Sequence, residues 1–596
     1  MMQKIFLTTP NNNDELLQKI DKLILKFCDT SIDCNSLESL HECTKKIFDE
    51  GYQLIDKYFV NSQHFKEELS FNIDQIHESF ESYFMDLIYD VTFFKITQFL
   101  LSKDIKLSKV LEEIEYLDFS QIELPSSIKD GRKRVYAAIS KFERIGSFRT
   151  PADKLNCLLN TISELTKEDD ESKEEISFLD SDSLIPLLLM IVIRSRIPHL
   201  IANLVYIKEY NFSRNVKIGK DGYALSTLEG VLDYILDAQL ELSNISRKNK
   251  SFWSAIKAGD ITEIKNPYYN DTIEVRDING NNGLMIACMY GQANIVDYLI
   301  HRSDYSQNDN NCTPLMCAIK CSNSLDSVRI LLKHKMVKES INSLDYTGNS
   351  AILYAAGTNN LSLIKLLLKE VGIHRLYQVN SITYDSVLHI AAQNNSSLEF
   401  ITYLMEQLDL SWRKSKNKKG ETFYHLIQSL DLLKYVMIQP TFQLDDLVND
   451  VDHMGRSPFM MWASKGRLDL IETLIPYIMM DTYSQVDKEG NTIFHLLATH
   501  LCEGLVMVFG ENSLNYIVEQ MKGIVNVRSW NYGNTPLHLI AGISTRAPKQ
   551  NIVNAILFIK ALVNNGAWIN AVNFKGEHPV DICKVSELVT CMDGNR

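Results

Sequence analysis

The chain has 596 residues, 45% of them hydrophobic and 23% charged, which is long enough for several cores rather than one. Its net charge of −14 argues against a surface that tracks phosphates, so neither DNA nor RNA is an expected partner. The eleven cysteines are scattered, and Cys157, Cys288 and Cys317 sit inside apolar helical patterns as core thiols would. Cys312, Cys317 and Cys321 lie closest together, yet no CxxC pair or companion histidine completes a zinc site, so neither a metal nor a cofactor is expected.

The opening MMQKIFLTTPNNN turns polar straight after Leu7 and lacks the apolar core of a signal peptide. The longest apolar run, Leu184 to Ile193, is far short of the ~20 residues that span a bilayer. A cytosolic chain is expected. From Asp14 to about Tyr116 the apolar spacing is helical, as in Leu17, Ile20, Leu23, Ile24 and Phe27. An N-terminal helical bundle is expected over residues 1–80.

Thr150-Pro151 marks a stop between helices, and Leu155, Leu158, Leu159 and Ile162 set the next helix. The charged run Glu164 to Ile176 reads as a solvated loop. Leu184 to Ile193 is apolar all round, as befits a buried central helix. Pro198 ends or kinks it, a second helix carries Leu200, Leu204, Tyr206 and Ile207, and a loop holding Gly219 and Gly222 precedes a third helix from Ser226 to Ile235.

These residues resemble the Vps-nine domain, the module of exchange factors for Rab GTPases of the Rab-five subfamily, over roughly residues 81–248. That family carries an Asp four residues before a Pro and the Tyr of a Gly-Tyr pair forty-one residues after the Asp. Here the matching residues are Asp182, Pro186 and Tyr223. Asn203 and Tyr206 also fall where the family has Asn and Tyr, and Asp153-Lys154-Leu155 matches its upstream helix signature. The pattern departs at Ser183, where the family has a second acid, at Ala224, where it has a second Tyr, and at Ser226, which keeps the hydroxyl of a Thr.

The resemblance implies that Asp182 and Tyr223 are the catalytic pair. The Asp182 carboxylate would enter the nucleotide site of the GTPase, disfavour its Mg²⁺ and pair with the phosphate-loop lysine once nucleotide leaves. Tyr223 would orient Asp182, and Pro186, Asn203 and Ser226 would form the GTPase-binding surface. Taken alone, Asp182 could equally be a helix N-cap, Pro186 a first-turn proline and Tyr223 a core aromatic.

From about Phe252 a phrase recurs: a turn, a Ser or Thr two residues on, then apolar residues often including His and Ala. Copies include DYTGNSAILYA from Asp345, DKEGNTIFHLLA from Asp487 and WNYGNTPLHLIA from Trp530. Between Thr313, Ser350, Ser386, Thr422, Ser457 and Thr492 the intervals are 37, 36, 36, 35 and 35 residues, and the next two are 43 each. Inserted loops are therefore expected within Cys502–Gln520 and Ser544–Gln550. The glycines supply positive φ, Thr313, Ser350, Thr422, Thr492 and Thr535 can cap the first helix, and Pro314, Pro458 and Pro536 open it.

This period and phrase resemble the ankyrin family, with about nine units over residues 249–596. His389, His425, His495 and His538 recur at one position, which in that family bonds neighbouring turns together rather than catalysing. The expected fold is all-α: a bundle, a Vps-nine-type domain and an ankyrin solenoid. The expected function is nucleotide exchange on a Rab-five-type GTPase, with a second protein partner on the solenoid. Recruitment to early endosomes would follow, with peripheral membrane contact at most. A non-catalytic scaffold that sequesters the GTPase is the alternative. The Asn-, Ile- and Lys-rich sequence fits either an amoebal protein or an effector of an intracellular bacterium acting in a host cytosol.

Overall fold

The computed structural model describes residues 13–60, 73–122, 131–166, 181–322, 325–478, 484–503 and 510–593. Among these no strand is formed beyond an isolated bridge between Val379 and Ser386, so the fold is all-α. The described chain divides into two compact units, one reaching Ile286 and including Arg302–Asp304, the other formed by Ala287–His301 and everything from Tyr305.

The first unit is built from α1 (Asn13–Ile32), α2 (Leu37–Val60), α3 (Ile73–Glu113), α4 (Gly131–Phe142), α5 (Pro151–Thr166), α6 (Ser181–Ser195), α7 (Leu200–Glu209), α8 (Gly219–Asp237) and α9 (Gln239–Ala258). It has two apolar cores. Phe27, Phe48, Phe80 and Phe84 centre the first, while α6 centres the second, where Leu187 to Ile193 are each no more than 1% exposed. Seven consecutive buried side chains at about 1.5–3 kcal/mol each explain why this helix is apolar on every face.

Helix α3 serves both cores: its 41 residues run about 60 Å. Phe80 to Leu100 face the first core and Leu107 to Ile114 the second. The boundaries expected after residues 80 and 248 therefore fall inside α3 and α9, because the apolar spacing that builds each helix continues through them. The unit also takes in the start of the repeat region. Buried Asp118 accepts from Arg132 Nη1 (2.5 Å) and from the backbone N–H of Arg276 (3.2 Å), and the Tyr136 hydroxyl donates to the Ile278 carbonyl (2.7 Å).

The second unit repeats one motif, a turn, a short helix and a second helix. Ala351–Gly357 with Leu361–Val371, and Pro458–Ser464 with Leu468–Leu474, are examples. Ile295, Val296 and Leu299, like Leu363, Ile364, Leu367 and Leu368, are buried as their spacing predicts. Pro314, Pro458 and Pro536 occupy the first helical position. Where the phrase lacks Gly, Tyr384 takes the left-handed turn at φ 58°.

The recurrent histidines knit the unit together. Each Nε2 donates to a carbonyl of the next repeat: His389 to Glu421 (2.9 Å), His425 to Arg456 (3.0 Å), His495 to Asn534 (2.9 Å) and His538 to Glu577 (3.1 Å). The opposite nitrogen of His425, His495 and His538 accepts the backbone N–H of Thr422, Thr492 and Thr535. These threonines cap the helix as expected, each in a capping box with its histidine, and their hydroxyls also lie against the ring nitrogen. Thr313 caps too, accepting from Met316 N–H, whereas Ser350 donates to Gln378 instead.

The insertions differ from expectation too. Ile493–Cys502 and Glu511–Gln520 are helical, and after Ser544 the chain soon enters the 16-residue helix Lys549–Asn564. Much of the extra length extends helices, since Leu514, Ile517, Phe558 and Ile559 continue a buried stripe. Residues 504–509 of the first insertion lie outside the described residues, as does most of the run Glu164 to Ile176.

Candidate functional site

Pro186 lies inside α6, where it can give no N–H to the carbonyl four residues back. That residue is Asp182, so the four-residue spacing has a backbone meaning: the proline leaves the Asp182 carbonyl without its helical donor. Asp182 sits in the first turn of α6, and its side chain, with that of Ser183, lies outside the described residues. Pro186 itself is buried, so it shapes the helix from within rather than touching a partner, contrary to the expected binding role.

Tyr223 lies in the first turns of α8, which packs against α6. The segment Gly219–Tyr223 is helical, where a loop was expected. Gly219 enters at φ 68°, and Gly222 follows in helical conformation. A Cβ on Gly222 would stand 2.6 Å from both the carbonyl carbon and oxygen of Lys217. The Gly of the Gly-Tyr pair is thus needed for close approach of the preceding loop. Half-buried Tyr223 packs on the second core, and its carbonyl accepts from Ser226 Oγ (3.0 Å) and Thr227 Oγ1 (2.7 Å). Ser226 is exposed beside it, and Ala224 is buried at 1% exposure, a place without room for the family's second tyrosine.

The loop leading into α8 is held from a distance. Buried Glu81 of α3 accepts from the backbone N–H groups of Phe212 (2.8 Å) and Ser213 (2.6 Å) and from the Tyr52 hydroxyl (3.0 Å). One residue on, Arg214 Nε meets Asp221 Oδ2 at 2.6 Å, tying the loop to the turn that carries Tyr223. Sequence reasoning missed Glu81, whose partner Ser213 lies 132 residues away, and Arg214 and Asp221, which pair across a seven-residue separation that no local pattern signals.

Asn203 is only 2% exposed and does not form a binding surface. Its Oδ1 accepts from Lys154 Nζ (2.8 Å), its Nδ2 donates to the His199 carbonyl (2.8 Å), and Lys154 also donates to the Ile145 carbonyl (2.7 Å). The reason is that α7 is covered on both sides: Ala202, Tyr206 and Tyr210 face one core, Leu200, Leu204 and Ile207 the other. Lys154 is fully buried, with the rings of Tyr89 and Phe93 about its ammonium at 5.4 and 5.1 Å. Burial lowers its pKa to about 8. Tyr206 donates to the Arg149 carbonyl (2.9 Å), so the Lys154, Asn203 and Tyr206 positions together lock α5 to α7.

Asp182 thus stands in the first turn of α6 and Tyr223 and Ser226 in the first turns of α8, on two helices that pack together, while Pro186 and Asn203 lie inside. Known proteins match the region that holds these residues. The family model of the Vacuolar sorting protein 9 (VPS9) domain matches residues 135–240, and that of ankyrin repeats (3 copies) matches residues 252–345. A UPF0507 protein of Yarrowia lipolytica is 23% identical over 545 residues, covering 83% of this chain and 48% of that protein. A UPF0507 protein of Debaryomyces hansenii is 22% identical over 522 residues, covering 76% and 41%. The chain thus spans less than half the length of these relatives. A VPS9 domain implies Rab nucleotide exchange in general, and ankyrin repeats imply protein binding. The chain carries a VPS9 domain followed by ankyrin repeats.

Proposed function

We propose that this protein is a guanine nucleotide exchange factor for Rab GTPases of the Rab-five subfamily, acting at early endosomes, with the solenoid as its partner-binding arm. The observation that supports this reading is that Asp182 and Tyr223 stand in the first turns of α6 and α8, two packed helices within the matched VPS9 region. A carboxylate offered there can replace the phosphates on the lysine of a GTPase and disfavour Mg²⁺, so that nucleotide leaves while the GTPase stays bound. Tyr223 and Ser226 supply the contact surface beside it.

Release of a fluorescent GDP analogue from a panel of Rab GTPases tests this with the full chain. A charge-assisted contact worth roughly 1.5–3 kcal/mol predicts that Asp182→Ala slows exchange on the order of 10- to 150-fold. Acceleration confined to another Rab subfamily would overturn the Rab-five assignment. Equal rates with and without the carboxylate would overturn the mechanism. Stable GTPase binding without release is the outcome of a sequestering scaffold, the reading that the departures at Ser183 and Ala224 favour.

A further inference from the structure

The turns of the second unit form a continuous row. The residue after the first turn position donates its N–H to the preceding turn: Lys418 to Thr383 (2.8 Å), His453 to Lys419 (2.8 Å), Lys488 to Met454 (2.8 Å) and Trp530 to Glu489 (2.8 Å). The side chains of His453, Lys488 and Trp530 lie across the previous glycine. A Cβ on Gly420 would stand 2.7 Å from the His453 ring, one on Gly455 3.4 Å from Lys488 Cγ, and one on Gly490 2.5 Å from the Trp530 ring. The order along this ridge is therefore fixed: Lys418, His453, Lys488, Trp530.

All four are exposed, Trp530 at 63%. Neighbouring cations are already engaged: Arg413 and Lys414 with Asp446, Arg456 with Asp452, and Lys416 with the Val451 carbonyl. Lys418, Lys419 and Lys488 take part in none of the described ion pairs. The nearby exposed carboxylate, Glu489, accepts from Asn491 (3.2 Å). In a chain of net charge −14, an uncompensated basic stretch ending on an exposed tryptophan is a surface complementary to an acidic partner.

The geometry points to an extended acidic segment of a partner protein as the occupant of this ridge. Adjacent repeats are set by helix packing at about 8–10 Å, which matches about three residues of extended chain at ~3.3 Å each. The segment therefore carries acids at every third residue against Lys418, His453 and Lys488, and an apolar residue one step further against Trp530. Lys419 adds charge beside the first acid. This inference concerns the solenoid alone and stands apart from the exchange reading.

The test is fluorescence anisotropy with the full chain and a labelled Ser/Gly peptide bearing glutamates at that spacing and a leucine one step beyond. Exposed ion pairs at this spacing predict about 10-fold tighter binding than a glutamine version, weakening with added salt. The charge reversal K418E/K488E abolishes that advantage, and K418Q/K488Q, with unchanged thermal stability, reduces it. Equal binding of the glutamine peptide, or indifference to both substitutions, overturns the proposal. Equal binding of a peptide with adjacent glutamates overturns the register. Binding to phosphatidylserine vesicles but to no peptide would reassign the ridge to a membrane surface.

Discussion

The two halves of this chain use buried polar groups in opposite ways. In the solenoid, histidines are buried neutral and each bridges one repeat to the next, so a single local device recurs. Around the VPS9 domain, one lysine is buried with an amide and a carbonyl as partners, and it fastens helices far apart in sequence. The first arrangement makes stability a sum of similar interfaces, while the second concentrates it in one place.

That contrast should break most visibly in acid. Burial lowers the pKa of His425 and of His495 to about 4, and lowers those of His389 and His538. With folded values below the unfolded value near 6.5, the unfolded chain binds more protons as pH falls, so stability present above pH 6.5 is lost between 6.5 and about 4. His425 and His495 should each cost about 2 kcal/mol by pH 5. Hydrogen exchange read by mass spectrometry should show protection falling across residues 386–478, 484–503 and 510–577 well before the VPS9 core. Uniform loss in both units would remove the contrast.

Next in size, Asn203→Ala leaves the Lys154 ammonium buried with a single carbonyl. It should destabilise the first unit by about 3 kcal/mol in urea unfolding. If instead stability is kept and only GTPase affinity drops, Asn203 acts at the surface after all. Gly222→Ala sets a Cβ against the Lys217 backbone, and should cost about 2 kcal/mol and slow nucleotide exchange by moving Tyr223. Unchanged thermal stability and exchange would show that the loop yields freely.

The smallest effect runs at the other end of the pH scale. Lys154 has a folded pKa of about 8, below its unfolded value of 10.5, so the unfolded state binds more protons between these values and stability rises with pH there. A gain of about 1 kcal/mol from pH 7 to 9 is expected for the first unit, and Lys154→Met should abolish that slope. A slope surviving in the variant would assign it to other groups.

Much of the architecture was legible from the residues. Turn glycines, helix-opening prolines and the 35- to 37-residue period act between near neighbours, so Gly490, Pro536 and the buried stripe of Leu363 and Leu367 could be placed from their spacing. The matched region around Asp182 and Tyr223 was legible for the same reason, since short motifs at set separations survive in a linear reading. The start of α8 was not, because Gly219 and Gly222 signal a loop until the Lys217 backbone is seen packed against Gly222.

What the sequence by itself determined is therefore the local conformation and its repetition: helices, caps, turns and the order of two modules. Only the tertiary structure decided which residues face inward. Asn203 and Pro186 moved from the expected surface to the interior, Glu81 proved to hold the loop before Tyr223, and the insertions became longer helices. Periodicity marks one apolar face, but a helix such as α7 that packs on two cores buries its polar face as well, and only its neighbours reveal that.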